Sequence, residues 1–130
     1  MNQVNLLYKS RCTDLNIVVK EHQLKKFADT CQAKCIKKKL NLTNMFLGPS
    51  SALLLSQWIL GEKIDITHFL LGQNNLGDKG VEILAPALAV SKQIVAVDLS
   101  QNGLTPKCAS FISGIVSENE SIIDLNLSSM

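Results

Sequence analysis

A spacing of 28 residues recurs along this chain and constrains its fold more than any other feature. Phe69 and Asn74 shifted forward by 28 positions fall on Val97 and Asn102. A further forward shift of 28 positions extends the apolar columns to Leu125 and Leu127. A backward shift of 29 positions extends them to Leu40 and Leu42. Self-similarity at one fixed period is the signature of repeat proteins, in which each unit packs on its neighbours. The chain is therefore predicted to be an array of stacked units.

Each unit contains two hydrophobic spacings in a constant order. Apolar residues first stand two apart, which is strand spacing, and then three and four apart, which is helix spacing. We therefore predict strands near 39–42, 68–71, 96–99 and 124–127 in one parallel sheet, with helices near 50–60, 78–90 and 106–117 outside it. Val116 is placed on the inward side of the third helix. Pro86 lacks a backbone N–H and is expected to bend or end the second helix.

The second unit carries a specific motif. Its marked positions read Ile66-x2-Phe69-x-Leu71-x2-Asn74-x-Leu76-x3-Gly80-x3-Leu84-x3-Leu88. This pattern resembles the ribonuclease-inhibitor type of leucine-rich repeat, and the next unit matches it except at Cys108, where glycine is usual. Similar repeats occur in ribonuclease inhibitor, Ran GTPase-activating protein, tropomodulin and the sensor ends of Nod-like receptors. The resemblance implies an α/β solenoid, a horseshoe segment with strands on its concave face and helices on its convex face.

The repeat divides the chain into two parts. Residues 1–36 are predicted to form a helical N-terminal cap, and residues 37–130 the repeats, as units 37–65, 66–93, 94–121 and a partial unit 122–130. One amphipathic helix is indicated by apolar residues from Leu24 to Cys35, and a weaker helical pattern runs from Val4 to Arg11. The stretch from Asp14 to Ile17 resembles the strand sequences and is interpreted as a degenerate strand.

The sequence stops inside the strand of a fourth unit, after Leu127 and before any helix. The bare strand edge is expected to make the isolated chain self-associate or join a larger complex. Two explanations stay open, a shortened form of a longer array and a native end that pairs with another chain.

The asparagine column is predicted to be structural. A chain leaving a strand in a tight turn leaves inward backbone groups unpaired, and an amide side chain can pair with both N–H and C=O groups. Asn74 and Asn102 are assigned this role. Met45 occupies the same column and cannot perform it, so the first unit is expected to have a different turn.

The concave face is the predicted partner-binding surface, because strand residues whose neighbours point inward are free of packing contacts. The residues assigned to this surface are His68, Leu70, Gly72, Ala96, Asp98, Ser100, Asp124 and Asn126. Their mixture of apolar, charged and small side chains is typical of a surface that contacts a protein.

Composition and motifs exclude several other classes of protein. There is no apolar run long enough for a signal peptide or membrane span, so a cytoplasmic location is expected, with nuclear or nucleolar locations as alternatives. No phosphate-binding glycine loop, histidine metal pair or nucleophile motif is present, so we expect no enzyme activity, cofactor or metal. Cys31 and Cys35 fall on the apolar helix face and are interpreted as core residues.

Charge is divided unevenly along the chain. Residues 1–39 carry nine Lys or Arg against three acidic residues, and residues 40–130 carry four against eight. The basic segment could contact phosphates, but the scarcity of aromatic residues makes nucleic acid an improbable partner.

Three functional hypotheses follow. The first is a non-catalytic scaffold or adaptor that binds another protein, whose identity the sequence does not reveal. The second is a regulator of a small GTPase similar to Ran GTPase-activating protein. The third is a nucleolar or RNA-associated protein that uses its lysine-rich cap.

Overall fold

The fold is described by a computed structural model that covers residues 3–61 and 64–128. The last two residues of the predicted partial unit 122–130 therefore lie outside the described part. In chain order the elements are α1 (Gln3–Leu15), α2 (Glu21–Lys34), β1 (Lys39–Asn41), α3 (Pro49–Leu60), β2 (His68–Leu70), α4 (Gly77–Val90), β3 (Ala96–Asp98), a 3-10 turn (Pro106–Cys108), α5 (Ala109–Glu118) and β4 (Asp124–Asn126).

The four strands form one parallel sheet in the order β1-β2-β3-β4. Each strand is followed by a helix, except that β4 is the last element described. A parallel pair needs a crossover connection, and α3, α4 and α5 supply the three crossovers. The predicted α/β class and the single parallel sheet are thereby confirmed, with strand positions within one residue of those expected.

The core lies between the sheet and the row of helices. α3 packs on α4 and α4 packs on α5, so each unit shares its apolar side chains with the next. Phe69, Leu84 and Leu99 have no exposed surface. The expected early end of α4 at Pro86 is wrong, because the helix continues to Val90. Pro86 is exposed, so its ring displaces no core side chain and only one backbone N–H is lost.

The degenerate strand predicted from Asp14 to Ile17 is also wrong. α1 continues through Leu15, and Asn16 then leaves the helix with a positive φ of 54°. α1 packs on α3, a contact made outside the sheet. The similarity of this stretch to the strand sequences is therefore one of composition only. Its Asp14 side chain has a different role, at the start of α3.

Asp14 caps the start of α3. Its carboxylate accepts hydrogen bonds from the backbone N–H groups of Gly48 (2.7 Å), Ser50 (2.7 Å) and Ser51 (3.1 Å), and from the Ser51 hydroxyl (2.6 Å). The first turn of a helix has unpaired N–H groups and a partial positive charge, and both favour a carboxylate. A Cβ on Gly48 would lie 2.9 Å from the Asp14 carboxyl carbon, so glycine permits this close approach.

A second carboxylate joins two neighbouring units. Asp78, in the first turn of α4, accepts a hydrogen bond from the backbone N–H of Thr105 (2.8 Å) and another from the Thr105 hydroxyl. These hydrogen bonds lower the pKa of Asp78 from its ordinary value, with a smaller contribution from the charge of Lys107. The ionised side chain therefore favours the docked position of the turn that begins at Pro106.

The Asp78 contact predicts a specific pH dependence. Because the pKa is lowered in the folded protein, ionised Asp78 stabilises the fold above the unfolded pKa of about 4 and loses this effect as the pH falls through the folded value. We expect the difference in unfolding free energy between the wild type and Asp78→Asn to shrink between pH 6 and pH 3. Urea unfolding across this range measures it. Asp29→Asn, an exposed change on α2, is the control; if its profile matched that of Asp78→Asn, the contact would have no special role.

The residue before β4 and the outer side of α5 carry exposed apolar side chains. Ile123 is 86% exposed and Val116 is 62% exposed, so the inward placement predicted for Val116 is wrong. Val116 shares α5 with the fully buried Ile115, and over the described residues no further helix covers its side. Within the same residues, no helix has both the length and the apolar character that crossing a membrane requires.

Candidate functional site

The parallel register sorts strand residues into straight columns across the sheet. The central column pairs Leu40 with Phe69, Phe69 with Val97 and Val97 with Leu125. Its members point toward the helices, and Phe69 and Val97 are buried in the core. Since successive strand residues point to opposite faces, the two flanking columns lie on the other side of the sheet. We call this side the open face.

The open face brings together most of the residues predicted for partner binding. One flanking column consists of Lys39, His68, Ala96 and Asp124, and the other of Asn41, Leu70, Asp98 and Asn126. Lys39, Asp124 and Asn126 are exposed, and the remaining five are partly exposed. Adjacent strands are about 4.8 Å apart, so each column forms a row about 14 Å long.

Three members of the second column have a structural contact as well. The side-chain oxygen of Asp98 accepts a hydrogen bond from the N–H of Ser100 at 2.9 Å. Asn41 and Asn126 make the same contact two residues ahead, to Thr43 (3.1 Å) and Ser128 (3.0 Å). The expectation that these side chains are free of packing contacts is therefore wrong, because each helps to turn the chain as it leaves its strand.

Leu70 is the one residue of this column that cannot make the turn contact. It is an apolar side chain between Asn41 and Asp98, and it stays partly exposed. A partly exposed leucine at a position filled by polar, hydrogen-bonding residues in the neighbouring strands has no role in the turn. It is the residue of the open face whose chemistry is best suited to contact with a partner.

Gly72 is buried, unlike the other residues predicted for the surface. A Cβ at this position would lie 3.0 Å from a carboxylate oxygen of Asp98 and 3.1 Å from the hydroxyl oxygen of Ser100. The Asp98 side chain thus leans toward the turn after β2 and covers the Gly72 backbone. Gly72 allows this approach and contributes little surface of its own, whereas Ser100 is partly exposed.

The charges of the open face follow the order of the strands. Lys39 is exposed on β1, and Lys34 donates a hydrogen bond to the carbonyl of Thr43 just beyond the same strand. Asp98 and Asp124 stand on β3 and β4. The face therefore changes from positive at β1, through the apolar Leu70 on β2, to negative at β3 and β4.

Asn74 and Asn102 lie behind the open face, in the turns after β2 and β3. The Asn102 amide nitrogen donates to the carbonyls of Leu71 (2.9 Å) and Leu99 (3.1 Å), and its oxygen accepts from the N–H of Leu76 (3.2 Å). Asn102 is 1% exposed. These contacts pair backbone groups inside the turn, and the Leu71 carbonyl also accepts a hydrogen bond from the Asn74 amide nitrogen at 2.8 Å.

Asn74 makes the corresponding contacts with the first unit. Its oxygen accepts from the N–H groups of Met45 and Leu47, both at 3.0 Å, and its nitrogen donates to the carbonyl of Leu42 at 2.9 Å. Asn74 and Asn102 therefore each bridge two consecutive units, with the asparagine always supplied by the later one.

The different turn predicted after β1 is wrong for the start of the turn, because Asn44, Gln73 and Gln101 all have a φ between 53° and 58°. What differs is the support of the turn, since Met45 cannot make the asparagine contacts. Phe46 has a φ of 59°, an uncommon value for an aromatic residue, and it is 57% exposed. The Arg11 guanidinium lies 5.6 Å from the centre of the Phe46 ring and 5.5 Å from that of Phe27, while its Nε donates to the carbonyl of Met45 (2.9 Å). Stacking and hydrogen bonding thus hold the strained turn.

Cys31 lies in α2, and Cys35 lies directly after this helix and next to β1. Burial raises the pKa of the Cys31 thiol to about 12, with a further increase from Cys35, and burial also raises the pKa of Cys35. The Cys35 thiol donates a weak hydrogen bond to the carbonyl of Asn41 (3.7 Å). Both groups are protonated at neutral pH. Over residues 3–61 and 64–128, no three His, Cys, Asp or Glu side chains converge in a way that could hold a metal ion.

Asn119 is a structural residue that sequence reasoning missed. Its nitrogen donates to the carbonyls of Leu88 (2.6 Å) and Ser91 (2.8 Å), and its oxygen accepts from the N–H groups of Ser121 and Ile122, both at 2.7 Å. The available signal was its position directly after the last helix, where an amide can pair with unsatisfied backbone groups. The second unit has Ser91 at this point, so no asparagine column revealed it.

Comparison with known proteins gives partial matches. No protein-family model matches the chain. NACHT, LRR and PYD domains-containing protein 14 of Mus musculus is 41% identical over 58 residues, and NACHT, LRR and PYD domains-containing protein 13 of Homo sapiens is 33% identical over 57. Each match covers 44% of this chain and 6% of the relative's own length. The likeness agrees with a segment of leucine-rich-repeat type, and the chain spans only a small part of these relatives.

Proposed function

We propose that this chain is a leucine-rich-repeat solenoid of the ribonuclease-inhibitor type, and that its open face binds another protein without catalysing a reaction. In this proposal residues 1–36 cap the array and the open face is the concave side of the solenoid. The supporting features are the parallel sheet with helical crossovers, the asparagines that bridge consecutive units, and the partial likeness to proteins that have LRR in their names.

One observation carries the binding role, namely the composition of the open face. A sheet face that is only solvated has no need for a leucine in a column of hydrogen-bonding residues, yet Leu70 stands between Asn41 and Asp98. The bridges between units hold the sheet rigidly, so a partner gains contacts with little loss of conformational freedom. The His68 Nδ1 lies 2.9 Å from the Thr67 hydroxyl oxygen. The positions of His68 and of the carboxylates of this face require no catalytic role.

Site-specific photo-cross-linking in cells tests the proposal. A photoreactive amino acid is placed at position 70 on the open face, and in a matched variant at position 110, which is exposed on α5. We expect a discrete protein adduct from position 70 and little or none from position 110. Adducts formed only from position 110, or from neither position, would contradict binding through the open face.

The same adducts distinguish the alternatives. A small GTPase whose GTP hydrolysis is stimulated by the chain would replace the non-catalytic proposal with a regulatory one. An adduct that disappears on ribonuclease treatment, together with RNA binding that weakens steeply with salt, would favour the RNA-associated alternative. Self-association through β4 would instead give adducts between two copies of the chain.

A further inference from the structure

We infer that the open face binds an extended peptide segment that has an acidic, an apolar and a basic residue, in this order, at every second position, as in Asp-x-Leu-x-Lys. This inference rests on the proposed function and specifies the chemistry of its partner. It depends on three features of the open face, namely the order of charges across the strands, the position of Leu70 and the spacing of the columns.

The charge order determines which partner residues are attracted to each end. Lys39 offers an exposed positive charge at the start of β1. Asp98 and Asp124 offer two carboxylates on β3 and β4. A partner segment lying across the strands is therefore favoured when its acidic residue is over β1 and its basic residue is over β3 and β4.

Leu70 determines what lies between the charges. It is flanked by Asn41 on one side and by Asp98 on the other, and it is partly exposed. An apolar partner side chain here removes water from the leucine, and each buried methylene group contributes about 0.8 kcal/mol. A polar residue at this point would gain nothing from Leu70, so the middle position is predicted to be apolar.

The strand spacing then determines the distance between the three residues. An extended peptide advances about 3.3 Å per residue, so side chains two residues apart point the same way and are about 6.6 Å apart. With an apolar side chain over β2, one neighbour two residues away reaches the midpoint between β3 and β4. The other reaches just beyond β1, because the strands are about 4.8 Å apart. The position toward β3 and β4 is level with Asp98, whereas Asp124 and Lys39 belong to the neighbouring column, about 6.6 Å away along the strands, so their contacts with the peptide are made by side chains that bridge this offset.

The asparagines of the same column supply a matched set of variants. Leu70→Asn introduces the residue found at positions 41 and 126, where it makes the turn contact, so the fold is expected to persist. Asp98→Asn keeps the oxygen that accepts from the Ser100 N–H and removes only the charge. Asp124→Lys reverses a charge on an exposed residue. Glu118→Gln on the exposed side of α5 is the control.

The experiment is a titration of the isotope-labelled full chain with synthetic peptides, followed by nuclear magnetic resonance at low salt. Four peptides are used, with the cores Asp-Ala-Leu-Ala-Lys, Asp-Ala-Leu-Ala-Asp, Lys-Ala-Leu-Ala-Lys and Asp-Ala-Asn-Ala-Lys. We expect the first to bind at least about fivefold more tightly than the others, as two partly exposed ion pairs and one apolar contact allow. The amide shifts should centre on residues 70, 98 and 124.

The variants then test each part of the inference. Leu70→Asn should remove the preference for leucine over asparagine in the peptide. The double variant Asp98→Asn, Asp124→Lys should bind the peptide with two acidic residues more tightly than the one with an acidic and a basic residue. Glu118→Gln should change neither preference.

Equal binding of the four peptides, no binding of the first peptide, or shifts centred on the helices would overturn the inference. Failure of the inference and failure of the proposed function give different results. If position 70 still cross-links a protein in cells while the peptides show no preference, only the predicted peptide chemistry is wrong. If cross-linking from position 70 also fails, the open face is not the binding surface.

Discussion

Replacing Asn102 with alanine is expected to lower the free energy of unfolding by about 3 kcal/mol, the upper end of the range for buried polar groups left unpaired. The change would leave the N–H of Leu76 and the carbonyls of Leu71 and Leu99 without this partner in a site that is 1% exposed. Urea unfolding followed by circular dichroism measures the loss. Asn102→Asp should not restore stability, because a carboxylate cannot donate to the two carbonyls.

Asn75 is the matched control for Asn102. It is an exposed asparagine in the equivalent region of the second unit, and its backbone N–H donates to the Leu47 carbonyl at 2.8 Å, a contact that alanine keeps. Asn75→Ala is expected to change the unfolding free energy by less than about 0.5 kcal/mol. Equal losses from Asn75→Ala and Asn102→Ala would show that the hydrogen bonds of Asn102 do not govern stability.

The second large effect is expected at Asp14. Asp14→Ala removes an acceptor from three backbone N–H groups and from the Ser51 hydroxyl, and with it these hydrogen bonds between α1 and the start of α3. We expect a loss of about 2–3 kcal/mol in unfolding free energy, as for strong helix N-caps and hydrogen bonds to a charged group. Thermal and urea unfolding should both report it.

Two further variants test why Asp14 matters. Asp14→Asn keeps one oxygen acceptor, so about half of the stability should return if the hydrogen bonds are the cause. Asp29→Ala removes an exposed carboxylate from α2 and is the control for a general change of charge. A loss from Asp14→Ala no greater than that from Asp29→Ala would contradict the capping role.

The sheet could be predicted closely from sequence because the repeat itself carries the register. A 28-residue shift takes Phe69 to Val97 and then to Leu125, and these residues are cross-strand neighbours. One correct alignment therefore determines every column, including the positions of Leu70 and Asp98. In stacked units the repeat period determines the strand register. A residue that departs from the pattern can therefore still be placed from the equivalent residues of the other units.

The contacts of the N-terminal segment could not be predicted in the same way. Asp14 lies outside the repeat and its acceptor contacts are 34 to 37 residues ahead, so no periodic partner identifies them. Arg11 likewise reaches the turn at Phe46 through a packing of helices that the sequence pattern leaves open. Long-range contacts of single residues depend on the packed structure, whereas amphipathic spacing indicates only that a helix exists.

The sequence predicted where the open face lies, but it did not predict all the contacts of its side chains. Outward position in a strand predicts exposure, and Asp124 and Asn126 are exposed. It does not reveal that Asp98 and Asn126 each accept a backbone hydrogen bond two residues ahead, because that contact depends on how the chain turns after the strand. Gly72 is buried for a related reason, since the Asp98 carboxylate leans over it.

The bridging asparagines give the chain a direction of assembly during its synthesis. The N–H groups of Met45 and Leu47 are paired by Asn74, and that of Leu76 by Asn102, so each turn is completed by a residue made 26 to 29 positions later. A ribosome releases the N-terminus first, so the first turn stays open until nearly a whole further unit has emerged. Nascent chains should therefore become protease-resistant in steps, each delayed by one unit.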